Sequence, residues 1–226
     1  DVARLHHVFT VIEDQNLLPL LFADPFDGAD GSAWKDYGTA SQRRDGHLVG
    51  TKGMVTILEK INETNLMASV EANSNAEAGV ILRFHGPDNY LVALYSPSMK
   101  AIYLHDRKNG SWGDQLGRVA VPEIGPKFRL TAAACGSHAA LVLTDGKRSY
   151  HTPTVEVGNV ASGKAGLWLF QIGERQEFGT FELSRAQFGP ATLKPTPQGV
   201  SGPADEYRPP QLPSPQDWVL VLEKVK

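Results

Sequence analysis

The chain has 226 residues, 22 basic and 25 acidic, with a formal net charge of −3, and 41% of it is hydrophobic. That composition suits a globular protein with a substantial core, and the near-balanced charge gives no reason to expect a nucleic-acid or membrane-surface partner. No apolar run approaches the roughly 18–20 residues of a spanning helix, and the single cysteine, Cys135, leaves no internal disulfide or cysteine metal site.

Residues 1–21, DVARLHHVFTVIEDQNLLPLL, lack a basic n-region and a small-residue cleavage site, so they are not read as a signal peptide. His7–Glu13 alternates as a strand would, and His6 with His7 reads as a surface pair. Leu21–Trp34, LFADPFDGADGSAW, follows with an aromatic–Asp opening and a loop rich in Gly and Asp. Asp24, Asp27 and Asp30 are candidate oxygen ligands for a calcium ion. Their spacing is not that of an EF-hand, and the competing reading is a turn whose aspartates serve local hydrogen bonds. Short strands are expected at Gly46–Leu48, Met54–Leu58 and Leu66–Ala72.

Glu77–Asp106, EAGVILRFHGPDNYLVALYSPSMKAIYLHD, holds three apolar runs at Gly79–Phe84, Tyr90–Tyr95 and Ala101–His105, separated by turn-forming residues. This predicts an antiparallel meander. Pairing across its loops puts Val80, Leu82, Phe84, Tyr90, Val92, Leu94, Ile102 and Leu104 on one face. Ile81, Arg83, Leu91, Ala93, Tyr95, Tyr103 and His105 then take the other. The second face, which carries an arginine, two tyrosines and a histidine, is the candidate binding surface. Extending the register to Leu66–Ala72 adds Glu71, expected near Gly79 and Tyr95. Trp168 joins if its strand enters the same sheet.

Asp45-Gly46, Asn109-Gly110 and Asp145-Gly146 are hairpin dipeptides, whose residues tolerate the positive φ of tight turns. Further strands are predicted at Phe128–Ala134, Ala139–Thr144, Lys147–His151, Lys164–Phe170 and Glu177–Leu183, with Cys135 a buried thiol at the end of its strand. Spacing of roughly ten residues with few helical patterns argues for an all-β sandwich or barrel. Gly189–Gln216 is dense in Pro and Gly and reads as an extended arm. Asp217–Lys226, DWVLVLEKVK, then resumes a strand pattern. One domain over 1–188, with the arm 189–216 and a returning strand 217–226, is the expected organisation.

Several of these pieces together resemble the concanavalin A-like, laminin G-like superfamily: Phe22–Phe26 with Trp34, Gly46-His47-Leu48, Ala78–Phe84 with Asn89-Tyr90, Phe128-Arg129-Leu130, Asp145-Gly146 and Ala165-Gly166-Leu167-Trp168. The order and spacing match over about residues 20–184. The nearest similarity is to levan-type carbohydrate-binding modules and keto-disaccharide hydrolase-like domains. The resemblance implies a jelly-roll sandwich of two antiparallel sheets, glycan binding on the concave sheet or rim, and often a structural calcium. It makes a polysaccharide or oligosaccharide the expected partner and a secreted or periplasmic setting the expected location.

A sugar needs a flat apolar platform for its C–H face and fixed polar groups for its hydroxyls. Tyr95, Tyr103 or Trp168 supply the first, and Glu71, Arg83 and His105 the second. The competing reading makes Arg83–Glu71 a structural ion pair and the aromatics core. His85 lies at a loop mouth, and Trp112 is either a rim aromatic or a turn-packing residue. No Glu-x-Asp-x-Glu run provides the paired carboxylates of a glucanase, which stand about 5–5.5 Å apart for retention and 6.5–9.5 Å for inversion. Three functions stay open. A glycan-binding domain, which requires no cofactor, comes first. A sugar-processing hydrolase would use Glu71 and Arg83 catalytically, with Asp106 or Asp114 as the second carboxylate. An architectural domain would engage a protein partner through its carboxy-terminal arm.

Overall fold

Alternation of apolar residues with period two recurs along nearly the whole chain and generates only strands. The computed structural model describes residues 20–28, 31–73, 75–158, 161–170 and 176–186, and no helix is found among them. The expected amino-terminal strand, the Pro-rich arm and the strand at Asp217–Lys226 lie outside the described residues. In chain order the strands are β1 (Leu20–Asp24), β2 (Trp34–Asp36), β3 (Gln42–Arg44), β4 (His47–Gly50), β5 (Val55–Leu58), β6 (Leu66–Asn73), β7 (Ala78–Gly86) and β8 (Asn89–Ser96). They continue as β9 (Ala101–Lys108), β10 (Ser111–Ala120), β11 (Lys127–Cys135), β12 (His138–Thr144), β13 (Ser149–His151), β14 (Val155–Glu156), β15 (Lys164–Leu169) and β16 (Gln176–Arg185).

They form two sheets, every pairing antiparallel. The nine-stranded sheet runs β13-β12-β11-β6-β16-β4-β3, with β1 on β16 and β14 on β12. The seven-stranded sheet runs β10-β9-β8-β7-β15-β5-β2. Leu66, Ala68, Val70, Phe128, Leu130, Leu141, Phe178, Phe181 and Leu183 of the first sheet face Val80, Leu82, Leu91, Ala93, Tyr95, Ile102, Leu104 and Leu167 of the second, in one buried core. Trp34 closes an end of this core, its ring edge-on to Phe181 at 5.0 Å and tilted on Phe26 at 5.6 Å.

Two of the expected hairpin dipeptides have positive φ at both residues: Asp45 and Gly46 at 53° and 74°, and Asn109 and Gly110 at 49° and 78°. They join Arg44 to His47 and Lys108 to Ser111 in two-residue turns. Asp145 works differently: its carboxylate accepts the Lys147 and Arg148 backbone N–H groups, which hold its ionisation below the ordinary carboxylate range.

The meander differs from expectation by one residue of register. Val80 pairs with Ala93 and Leu82 with Leu91, so Leu91, Ala93 and Tyr95 enter the core with Val80 and Leu82, while Tyr90, Val92 and Leu94 face outward. It is set by the turns on either side of β8: Gly86 pairs with Asn89 and Ser96 with Ala101, and both closures align the odd-numbered residues of β8 with even-numbered residues of β7 and β9. Separately, β7 carries a bulge at Arg83, whose φ is +53°. Between the Leu82–Leu91 and Gly86–Asn89 pairs β7 advances four residues and β8 two. The bulge turns Phe84 onto the same outer face as Ile81. Gly163 lies against it, where a side chain would put its Cβ 2.4 Å from the Arg83 Cα. A second correction concerns β6, which pairs with β11 and β16 in the opposite sheet and not with β7.

Candidate functional site

The outer face of the seven-stranded sheet gathers most of the aromatic side chains that are free of the main core. Its floor is Ile57, Ile81, Val92, Leu94 and Ala101, all buried. Trp168 stands opposite Gly79, which continues through Leu94 to Tyr103 across β7, β8 and β9. The next positions bring His105 level with Val92, and Tyr90 level with Arg107.

Over this floor lies a continuous run of rings. Trp112 stacks on His105 at 4.7 Å and meets Tyr90 edge-on at 5.8 Å and Trp168 at 6.0 Å. Three strands separate β10 from β15, so these two indoles meet by leaning over the floor from opposite sides. Phe170 lies parallel to Trp168, with centroids 5.4 Å apart and planes at 1°, and is 47% exposed. Trp168 is only 5% exposed. The reachable rim is therefore Phe170 with the half-buried Trp112, His105 and Arg107.

The polar groups of the face are few and directed. His105 Nε2 lies 2.8 Å from the Gly113 carbonyl, which orients the ring under Trp112. The Arg107 guanidinium sits 5.1 Å over the Trp112 ring and 3.6 Å from Asp88. Its Nε is buried and has no acceptor among the described residues. Glu77 is 7% exposed, and its carboxylate accepts the Ser96 hydroxyl at 2.6 Å. Burial, and then the Glu77 charge, push the neighbouring Tyr103 hydroxyl up to about 12. Burial likewise raises Tyr90, partly offset by Arg107 and by the Trp168 hydrogen bond.

Of the residues singled out from sequence, Tyr103, His105 and Trp168 come together here; Tyr95, Arg83 and Glu71 do not. Tyr95 points into the inter-sheet core, edge-on to Phe128 at 5.2 Å. Arg83 is 1% exposed and donates to the Thr64 and Gly136 carbonyls, pinning the β5–β6 crossover and the β11–β12 turn. Glu71 lies on the outer face of the nine-stranded sheet, 3.5 Å from Arg129. The Arg83–Glu71 pair is therefore not formed, and neither is a paired-carboxylate site joining Glu71 to Asp106 or Asp114. His85 is exposed on the β7–β8 side.

Asp24 accepts from Phe26 N at 2.8 Å, Trp34 Nε1 at 2.8 Å, and Arg43 Nη1 and Nη2 at 3.1 and 2.5 Å. Burial alone would raise its ionisation, but these donors, led by Arg43, leave it below the ordinary value. This donor set fits a guanidinium rather than a calcium ion. Asp27 is exposed, and Asp30 lies outside the described residues.

Arg107, Glu77 and Phe170 were not picked out from sequence. Glu77 lies just before a run of alternation, Phe170 is the last residue of one, and Arg107 lies just past the end of another. A reading that tracks runs misses what their ends present.

No family model and no curated protein matches the sequence. Solved structures do. A mutant of the GH43 protein BlXynB from Bacillus licheniformis superposes with a TM-score of 0.57 at 18% identity, covering 72% of this chain and 39% of that one. A protein of unknown function with a galectin-like fold from Bacillus subtilis gives 0.55 at 10% identity, covering 74% and 96%. The metal-free exoplasmic/lumenal domain of VIP36 gives 0.54 at 8%, covering 75% and 94%. The fold is a galectin-like jelly-roll sandwich. The chain spans 39% of the length of the GH43 proteins it matches. No helix among the described residues is long and apolar enough to cross a membrane.

Proposed function

We propose that this is a carbohydrate-binding domain and that it takes its glycan on the outer face of the seven-stranded sheet. The observation that carries the reading is the juxtaposition at Arg107: a half-buried guanidinium lying over an indole that is reachable from solvent. A sugar ring lying on Trp112 or Phe170 would bury its C–H face on an aromatic plane and offer a hydroxyl to the exposed part of that guanidinium. His105 is the further polar partner, and the buried Tyr103 and Trp168 back the platform from beneath. VIP36, which shares the fold, is also solved in a Ca2+/Man3GlcNAc-bound form, and the GH43 neighbours are sugar-processing proteins by name. These support a sugar-related role and an extracytoplasmic setting for this chain. Kinship with levan-type modules or keto-disaccharide hydrolase-like domains is the finer form of the same proposal.

The test is a glycan array on wild type, Trp112→Ala and Arg107→Met, with product analysis on each hit. Wild-type binding lost in both variants, with the glycan returned intact, is the expected result. Cleaved product would move the domain to the hydrolases. Binding that survives both substitutions would move the site to another face. No binding to any glycan would favour an architectural role.

A further inference from the structure

A cleft of about 320 Å³ opens between the edges of the two sheets, lined by Asp106, Lys108, Asp114, Leu116 and Glu156 among others. It exists because β10 is irregular. Its register against β9 shifts between Trp112 and Gln115 and again between Leu116 and Val119. At Gly117 the strand presses on the opposite sheet so closely that a Cβ would lie 2.8 Å from the Val155 side chain. Where β10 bows at Gly113 and Asp114, a space is left facing β14.

The chemistry of this space is uneven. Asp106, 9% exposed, is tied to Lys108 Nζ at 2.9 Å. Asp114 and Glu156 are exposed, and their carboxylates have no hydrogen-bond or ion-pair partner among the described residues. Three carboxylates against one ammonium leave the lining two charges negative. Gly158 keeps the wall open, since a Cβ there would come 2.7 Å from Lys108 Nζ. Leu116 gives the wall an apolar patch, and Trp112 belongs both to this lining and to the aromatic face. The volume is at the small end of ligand pockets, about 300–1,000 Å³, which suits one sugar ring rather than a chain.

We propose that the cleft is a subsite for a sugar residue carrying an ammonium group, a 2-amino-2-deoxy hexose, reached by a glycan that also crosses Trp112. This rests on the glycan-binding reading above. The amine is held between Asp114 and Glu156, the ring lies against Leu116 and the Gly113 and Gly158 backbone, and uronic acids are repelled.

The test is an amide-resolved NMR titration of the 15N-labelled protein with glucosamine, N-acetylglucosamine and glucuronic acid at about pH 6, where the amine is protonated. Shifts at the Gly113, Asp114 and Gly158 amides are expected with glucosamine. It should bind tighter than the acetylated sugar by about two- to fivefold for each carboxylate, and the advantage should vanish in an Asp114→Asn/Glu156→Gln variant whose other amides keep their positions. Equal affinity for the acetylated sugar, an advantage surviving the double substitution, or no shift at these amides would each overturn the subsite. Phe170→Ala, which leaves the cleft lining intact, separates the two ideas. If it lowers array binding while the amine preference is absent, the cleft has failed and the aromatic face stands. If glycans never bind the face, the reading beneath both has failed.

Discussion

The two sheets have outer faces of opposite character. On the nine-stranded sheet, Arg129 reaches Glu71 at 3.5 Å, Ser69 at 2.8 Å and also Glu182, in a ladder across β11, β6 and β16. The Glu71 side chain there is 62% exposed. On the seven-stranded sheet the outer face is a second apolar layer, with Ile81 and Val92 fully buried beneath aromatic rings. One sheet is thus dry on one side and wet over much of the other, and the second is dry on both. Strands wet on one side announce their register through polar alternation, whereas strands dry on both sides read as apolar in either phase.

The largest effect should come from the double-dry sheet. Trp168→Ala removes a 5% exposed indole packed on Trp112 and Phe170. A loss of about 3–5 kcal/mol in urea unfolding is expected. A loss below about 1 kcal/mol would mean that Trp168 is not a structural member of that layer.

Arg83→Met ranks second. Burial pulls the Arg83 ionisation down, yet guanidinium stays protonated and its charge is spent on the Thr64 and Gly136 carbonyls. The substitution should cost about 1.5–3 kcal/mol and leave glycan affinity of the folded protein unchanged. Weakened binding at unchanged stability would restore Arg83 to the ligand site.

The sequence carries most of the fold openly. The hairpins at Asp45-Gly46 and Asn109-Gly110, and the strands Leu66–Asn73 and Lys127–Cys135, are all legible from turn chemistry and period. What it conceals is phase. Val80, Leu82 and Phe84 alternate without interruption, and nothing in AGVILRFHG marks Arg83, whose φ is +53°, as a bulge. The closures Gly86–Asn89 and Ser96–Ala101 put Tyr95 in the core and Tyr90 outside, and the hidden bulge turned Phe84 outward. Glu71 failed for another reason. Leu66–Asn73 precedes β7 in the chain but crosses to the other sheet, and sequential neighbours need not pair. Trp112 is legible as a rim or turn-packing aromatic, but its strand is not, because Gly113 and Gly117 make an irregular edge strand look like a loop.

A pH titration probes the buried tyrosines next. The folded state keeps the Tyr103 proton to about pH 12, against 10.0 for a free phenol. Between those values the unfolded chain has released a proton that the folded chain retains. It therefore binds fewer protons, and stability falls as pH rises. The contribution is fully present below pH 10 and is lost by about pH 12, worth up to about 2 kcal/mol. Tyr90 and Tyr95 shift the same way, and Cys135, raised by burial from 9.0 to about 12, starts the decline earlier. Unfolding free energies measured from about pH 8 to 12 should slope less steeply in Tyr103→Phe. An unchanged slope would place Tyr103 in water.

The smallest expected effect makes the sharpest contrast. Glu71→Gln removes one carboxylate from the exposed ladder while keeping its size, and Arg129 retains Glu182 and Ser69. Such a pair is worth about 0–1 kcal/mol and is screened by salt. Unfolding at low and high ionic strength should therefore differ little between variant and wild type, and glycan affinity should not move. The result that would break the comparison is a stable variant that no longer binds. That outcome would give Arg129 and Glu71 to the ligand, make the wet face the working one, and leave the aromatic layer as a second core.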